Sequence, residues 1–206
     1  APPLLVSPLS ADDERRSLAP ESRDCLAGMR WSWDGVAFEV LHPDAAALRD
    51  RRRENDRSCV LRVATAGGAM LMAADIERQA ERELLARRGA SLRSEALLVP
   101  HHGSRSSSTS AFVAAVSPAI ALVSAGWRNR FRQPSPEVLA RYREAGAAIL
   151  RTDFDGALRV RLPASAAEPV SAAPLLPRAR YWSDRRPAGS FRDNRGPSAF
   201  AGEAHD

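Results

Sequence analysis

The chain has 206 residues, 44% of them apolar and 27% charged, a balance that supports one globular domain of ordinary size. Its longest apolar runs, such as residues 118–125, fall far short of the roughly 18 residues a membrane span needs, so no segment is expected to cross a bilayer. The net charge is +5 and all 30 basic residues are Arg, which gives a modest preference for acidic partners such as nucleic acid, although a coding bias explains the missing Lys more simply.

The first residues, Ala1-Pro2-Pro3-Leu4-Leu5-Val6, lack an initiator Met and the layout of a signal peptide, and read as the middle of a longer chain. Residues 7–24 show little periodicity and are expected to form a loop with a short helix. The two cysteines, Cys25 and Cys59, have neither metal-ligand spacing nor disulfide-rich density, which leaves their pairing and the compartment open. Trp31-Ser32-Trp33-Asp34-Gly35 carries a turn signal, and Val36 to Leu41 alternates as a strand ended by His42-Pro43. The basic run Arg49 to Arg53, with Asp50 inside it, reads as a solvated face before a phosphate patch.

Cys59 to Val63 and Ala69 to Ala73 flank Ala66-Gly67-Gly68 and predict a hairpin in which Gly supplies a positive φ. A helix is expected over 76–88, with Asp75 placed as its N-cap or, alternatively, as a carboxylate at the end of a strand, where open α/β sheets gather ligands. Ala96 to Val99 predicts a short buried strand. It ends in Pro100-His101-His102-Gly103-Ser104, a pattern read either as a capped strand end with two solvated imidazoles or as one side of a site. A helix over 108–117 and a strand over 119–124 follow. The loop after them, Ala125-Gly126-Trp127-Arg128-Asn129-Arg130-Phe131-Arg132, repeats the plan of strand, Gly and polar loop and is expected to meet the first loop at one end of the sheet. Ser135 is the predicted cap of a helix beginning at Pro136, with Val138, Leu139 and Tyr142 inward. Residues 148–150 and 157–162 read as a closing hairpin around Asp153-Phe154-Asp155-Gly156. After Pro163 the Ala, Ser, Pro, Gly and Arg composition predicts a disordered tail over 164–206, in which Arg178-Ala179-Arg180-Tyr181-Trp182 alone mixes aromatics with bases.

Asp75, His101 and His102 are ligand types suited to Zn or Mn, but two ligands are not a site, since a catalytic Zn needs about three protein ligands plus water. Taken in order, Trp31-Ser32-Trp33-Asp34-Gly35-Val36, Leu41-His42-Pro43, Asn55-Asp56-Arg57-Ser58-Cys59, Ala74-Asp75-Ile76-Glu77, Val99-Pro100-His101-His102-Gly103-Ser104, Ser124-Ala125-Gly126 with Asn129-Arg130-Phe131, and Arg151-Thr152-Asp153 closely resemble the C-terminal domain of ComEC-type DNA-internalisation competence proteins. The resemblance covers residues 25–163. It implies an α/β (α+β) fold, the metallo-β-lactamase αββα sandwich, incomplete at its N-terminus, with residues 1–163 as a partial domain. It further implies a metal-dependent hydrolase, a nuclease acting on single-stranded DNA during uptake, bound to one or two divalent ions and partnered by a membrane channel portion of an inner-membrane parent.

By position, the resemblance makes Asp75 and His102 metal ligands and His101 a catalytic residue, with Asn55, Ser58, Ser104, Asn129 and Arg130 lining the site. For Ser and Asn, capping of nearby loop backbone is the structural alternative. The family's His-x-His-x-Asp-His cluster is not in this sequence, Gln133-Pro134 stands in place of its usual His-Pro, and Ala74 in place of a Gly. The expectation is therefore poor metal binding and slow or no cleavage by this chain alone. Two other functions stay open: a metallo-hydrolase of a small ester, and a DNA-binding remnant without catalysis.

Overall fold

The computed structural model describes residues 4–6, 14, 22–49 and 54–175. The greater part of the expected N-terminal loop, residues 50–53 of the basic run, and residues 176–206 with the Arg178 to Trp182 patch lie outside them. At the N-terminal side β1 (Leu4–Val6) pairs in parallel with β2 (Ser22–Asp24). The main sheet has seven strands in strictly sequential order: β3 (Arg30–Trp33), β4 (Val36–His42), β5 (Val60–Thr65), β6 (Gly68–Met72), β7 (Ala96–Leu98), β8 (Ile120–Val123) and β9 (Ala148–Arg151). The first four pair antiparallel and β6 to β9 pair in parallel, so the fold is α+β with a mixed sheet.

Antiparallel neighbours need only tight turns. Asp34 and Gly35, at φ 48° and 79°, form the β3–β4 turn with the positive angles that match strand twist. The β5–β6 turn uses its two glycines differently. Gly68 supplies a φ of 142°, whereas a side chain on Gly67 would collide with the backbone oxygens of Pro163 and Ser165. Parallel neighbours need crossovers, and here these are α2 (Arg78–Arg88), α3 (Ser110–Val116) and α4 (Pro136–Glu144). Because right-handed crossovers between successive adjacent strands all fall on one side, the three helices share a face and pack on one another. Beneath them the register aligns Leu71, Leu97, Ala121 and Ile149 in one row, and Leu84, Phe112, Val116 and Tyr142 close the core from the helix side.

The opposite face of the sheet is apolar as well. Trp31, Phe38, Val63, Met70, Ala96, Ile120 and Ala148 are cross-strand neighbours in one row, and Val40, Leu61, Met72, Leu98, Leu122 and Leu150 in the next. Most of these side chains are half-buried, and Trp31 stacks flat on Phe38 with ring centroids 5.1 Å apart.

Three expectations are corrected. Residues 148–162 form no hairpin: β9 closes the main sheet, α5 (Thr152–Asp155) turns the chain away, and β10 (Leu158–Arg161) pairs antiparallel with β11 (Ser171–Pro174) in a separate sheet. Regular structure thus runs past the composition change at Pro163, whose carbonyl accepts a 2.6 Å hydrogen bond from Thr65 Oγ1. The helix after β6 begins at Arg78, with Glu77 at its N-cap position, and Asp75 does not cap it. Its free N–H groups are met from a preceding loop, where Asp56 Oδ1 accepts from Glu77 N at 2.8 Å and Ala80 N at 3.2 Å.

Cys25 and Cys59 are joined in a disulfide that ties the segment before β3 to the start of β5. A β-bulge after Val40 places His42 wholly inside, where its Nε2 donates to Asp56 O at 2.6 Å and its Nδ1 accepts from Arg87 Nη2 at 3.1 Å. The carbonyl fixes the tautomer, and burial holds the imidazole below its ordinary pKa of 6.5. Arg87 also pairs with Asp44, whose Oδ1 accepts from Ala47 N at 2.8 Å at the start of α1 (Ala45–Arg49).

For a crosslink with a sequence separation of 34, Cys59→Ser is expected to cost about 3 to 4 kcal/mol, read as a lower urea midpoint. His42 has a depressed folded pKa, so its contribution is complete above 6.5 and is lost as pH falls through the folded value. Accordingly His42→Gln lowers stability at neutral pH but loses less than the native chain between neutral pH and about pH 5, as measured by paired urea titrations.

Candidate functional site

The C-terminal ends of β6, β7 and β8 lie side by side, and the loops leaving them meet, as open sheets with parallel strands arrange their ligand crevices. From β6 come Ala74, Asp75 and Glu77; from β7 come His101 to Ser108; from β8 come Ser124 to Ser135. His101 and His102 both adopt left-handed backbone, at φ 48° and 56°, and so does Ala74 at 48°. Consecutive non-glycine residues in this region cost about 1 to 3 kcal/mol each and persist only where the surroundings impose them. The surroundings here are the neighbouring strand ends. His101 N donates to Ala74 O at 2.9 Å, and the His102 ring bonds Ser124 O through Nδ1 at 2.8 Å.

Since a carbonyl only accepts, the His102 bond places its proton on Nδ1 and leaves Nε2 as the outward nitrogen. That Nε2 lies 3.5 Å from Asp75 Oδ1, and both side chains are about half exposed. Two ligands of one tetrahedral Zn, with bonds of about 2.1 Å, stand about 3.4 Å apart, so the pair has the separation a shared divalent ion requires. The fit covers two donors only: among the described residues no group of three His, Cys, Asp or Glu side chains is placed to hold a metal.

His101 has a different partner. Its Nδ1 faces Glu77 Oε1 at 3.2 Å, and the same oxygen accepts from Asn55 Nδ2 at 3.0 Å. Asn55, Glu77 and His101 therefore form a relay in which a carboxylate orients an imidazole. Glu77 is the functional candidate that sequence reasoning missed. It stands in the quoted Ala74 to Glu77 motif two residues from Asp75, but its role depends on Asp56, which holds its backbone N–H, and on the fold, which brings β7 beside β6.

The remaining expected site residues separate. Ser104 reaches His101 indirectly, its Oγ 3.0 Å from Ser106 Oγ, which is 3.4 Å from His101 Nδ1. Ser58 sits on the turn with Asn55, its N–H bonded to Asn55 O at 2.9 Å. Asn129 staples its own loop: Nδ2 donates to Gly126 O at 3.1 Å and Gln133 O at 2.6 Å, and Oδ1 accepts from Gln133 N at 3.0 Å. Arg130 lies over the Phe131 ring, 4.8 Å from its centroid.

The loop floor is a buried polar network. The Glu81 carboxylate, wholly inside, accepts from Ser108 N and from Thr109 N at 2.8 Å, and its burial pushes the carboxyl pKa up. Tyr142 OH donates to Ser108 Oγ at 3.0 Å, and Arg141 Nη1 donates to Ser108 O at 2.9 Å. The loop after β8 is locked to the loop after β7 at Gly103, whose carbonyl accepts from Ser135 N at 2.9 Å.

No protein-family model matches this chain. Among curated proteins it is similar to "Competence protein ComA" of Neisseria gonorrhoeae, 42% identical over 141 residues, which is 68% of this chain and 20% of that protein. It is also similar to "ComE operon protein 3" of Bacillus subtilis, 32% identical over 126 residues, 61% of this chain and 16% of the relative. "Recombination protein 2" of Haemophilus influenzae is 31% identical over 136 residues, 66% and 16% of the respective chains. The chain spans a fifth or less of the length of these relatives.

A Cβ on Gly103 would stand 2.5 Å from Pro134 Cβ, at a φ of 79°. Gly103→Ala is therefore expected to destabilise the chain by about 2 kcal/mol and to shift the imidazole resonances of both histidines, whereas Gly28→Ala, with open space at its Cβ, leaves those resonances in place. Denaturant titration and histidine NMR read the two effects.

Proposed function

We infer, for a chain homologous over two thirds of its length to one segment of the ComEC-type competence proteins, that it forms part of a metal-dependent hydrolase domain acting on DNA during natural transformation. The observation that carries this reading is the His102–Asp75 pair, 3.5 Å apart with the His102 Nδ1 proton committed to Ser124 O. Asp75 Oδ1 and His102 Nε2 would hold a divalent ion, Zn or Mn, as two of its ligands. The metallo-β-lactamase reading is supported further by the second apolar face of the sheet, which suits packing against another layer in an αββα sandwich.

A divalent ion bound there supplies charge to a phosphodiester and lowers the pKa of water. The chain's own residues orient and move protons around it. Ser124 O fixes the His102 tautomer, and a hydrogen bond of this kind also raises ligand basicity. Glu77 orients His101 through its Nδ1, which places His101 to serve as the acid or base for the leaving or attacking oxygen. Asn55 keeps the Glu77 carboxylate turned toward His101.

Among the described residues no helix is long and apolar enough to cross a membrane. The Cys25–Cys59 disulfide favours an oxidising compartment, on the outer side of an inner-membrane parent protein. The second reading, a DNA-binding remnant without catalysis, is favoured by the two-donor count at the described site.

Calorimetric titration with Zn or Mn and cleavage of a single-stranded oligonucleotide test the account together. The expected result is weak binding that Asp75→Ala and His102→Ala each reduce at least about tenfold, with slow metal-dependent cleavage that Glu77→Gln lowers further by about a hundredfold. Metal binding indifferent to both Ala variants contradicts the ligand assignment. Rapid cleavage by this chain, abolished in Asp75→Ala, contradicts a site limited to two donors.

A further inference from the structure

The loop from Ser124 to Ser135 begins at the carbonyl that holds His102 and ends at the amide bonded to Gly103, so both of its ends belong to the histidine turn. Between them the sequence carries Arg128, Arg130 and Arg132 and no acidic residue. It also carries two exposed rings: Trp127 is 43% exposed and Phe131 66%. Arg128 stacks over Trp127 at 4.5 Å from the ring centroid, and Arg130 over Phe131 at 4.8 Å. The loop is not slack. Besides the Asn129 side-chain staple, Asn129 N donates to Gly126 O at 3.3 Å and Arg132 N to Asn129 O at 3.2 Å, giving two successive turns that carry one exposed ring each. At the base, Ala125 exchanges hydrogen bonds with Thr152 Oγ1 through both its N–H and its carbonyl, each 2.8 Å.

A loop that recognised only polyanion charge would need the arginines and not the rings. Exposed aromatic rings alternating with guanidinium groups on a fixed backbone match the chemistry of unpaired bases, whose faces stack on aromatics while the phosphates meet cations. A duplex keeps its base faces inside its own stack, so the surface selects a single strand. We propose that Trp127 and Phe131 form a base-stacking platform for single-stranded nucleic acid, with Arg128, Arg130 and Arg132 engaging its phosphates, and that the platform leads the strand to His101 and His102. This rests on the nucleic-acid reading of the site, and it adds which residues grip the strand and through which part of the nucleotide. Because the loop is pre-ordered, binding spends little free energy on fixing it.

The test uses fluorescence anisotropy of the full 206-residue chain in EDTA, so that no cleavage occurs, with a labelled oligothymidylate and an abasic strand of the same length and charge. The native chain is expected to prefer the base-bearing strand. Trp127→Ala and Phe131→Ala each weaken that binding by about fivefold or more and leave the abasic strand unaffected, and Phe131→Trp restores it. Arg130→Ala weakens both strands alike. The proposal is overturned if the native chain binds neither strand, if the Ala variants bind as the native chain does, if they lose both strands equally, or if anionic phospholipid vesicles show the ring dependence and the oligothymidylate does not. Failure of the metal-centre reading appears separately, as metal titrations indifferent to Asp75 and His102, and leaves these EDTA measurements standing.

Discussion

Two adjacent left-handed histidines at the end of β7 are held in place by the carbonyls of the strand ends on either side, Ala74 after β6 and Ser124 after β8. That pair of bonds is the constraint on which the site depends. It offsets a backbone conformation that neither residue favours, and it does so only because β6, β7 and β8 are parallel neighbours whose ends fall level. An antiparallel arrangement of the same strands would send one of the three loops to the far edge of the sheet. The three crossover helices and the core row of Leu71, Leu97 and Ala121 therefore serve the histidines directly, by fixing the spacing of the carbonyls that hold them.

Around this turn, rigidity is supplied from buried polar groups more than from apolar packing. Glu81 sits wholly inside and satisfies two loop N–H groups, while Arg141 and Tyr142 on α4 reach the same segment from the other side. A buried carboxylate is costly unless its lone pairs are met, and here they are met by the backbone it positions. The same logic recurs at Asp56, which caps α2 and thereby sets the direction of Glu77 toward His101. Structure and candidate chemistry are thus joined at shared residues: those that hold the helix starts also aim the site's carboxylate.

Most of the fold is legible in the sequence because periodicity marks it. Val138, Leu139 and Tyr142 follow a capping Ser135 and a Pro136 at the first helical position, and all three side chains are buried. The apolar strands from β6 to β9 and their alternation with helices are legible in the same way. The misread stretches are those decided by distant residues. Asp75 has the local look of an N-cap, but the cap is Asp56, supplied from another loop. Asp153-Phe154-Asp155-Gly156 has the composition of a hairpin turn. Instead Arg151 pairs with Asp153 and Asp155 Oδ2 accepts from Arg151 N at 2.9 Å, winding a helical turn that carries the chain off the sheet. The Cys25–Cys59 bond follows from a Cα separation of 5.8 Å that no spacing along the chain reveals. At the site, the histidines and Asp75 are visible as motif residues, whereas Glu77 gains its role only once β7 lies beside β6.

The most direct measurement is long-range proton–nitrogen correlation NMR of the His102 imidazole in the metal-free chain, under conditions where the ring is neutral. The expected result is a proton on Nδ1, donated to Ser124 O, and an unprotonated Nε2 turned to Asp75. A ring protonated on Nε2, or one exchanging between the two tautomers, would mean that the carbonyl after β8 does not set the histidine, and the nitrogen proposed as a metal ligand would be lost.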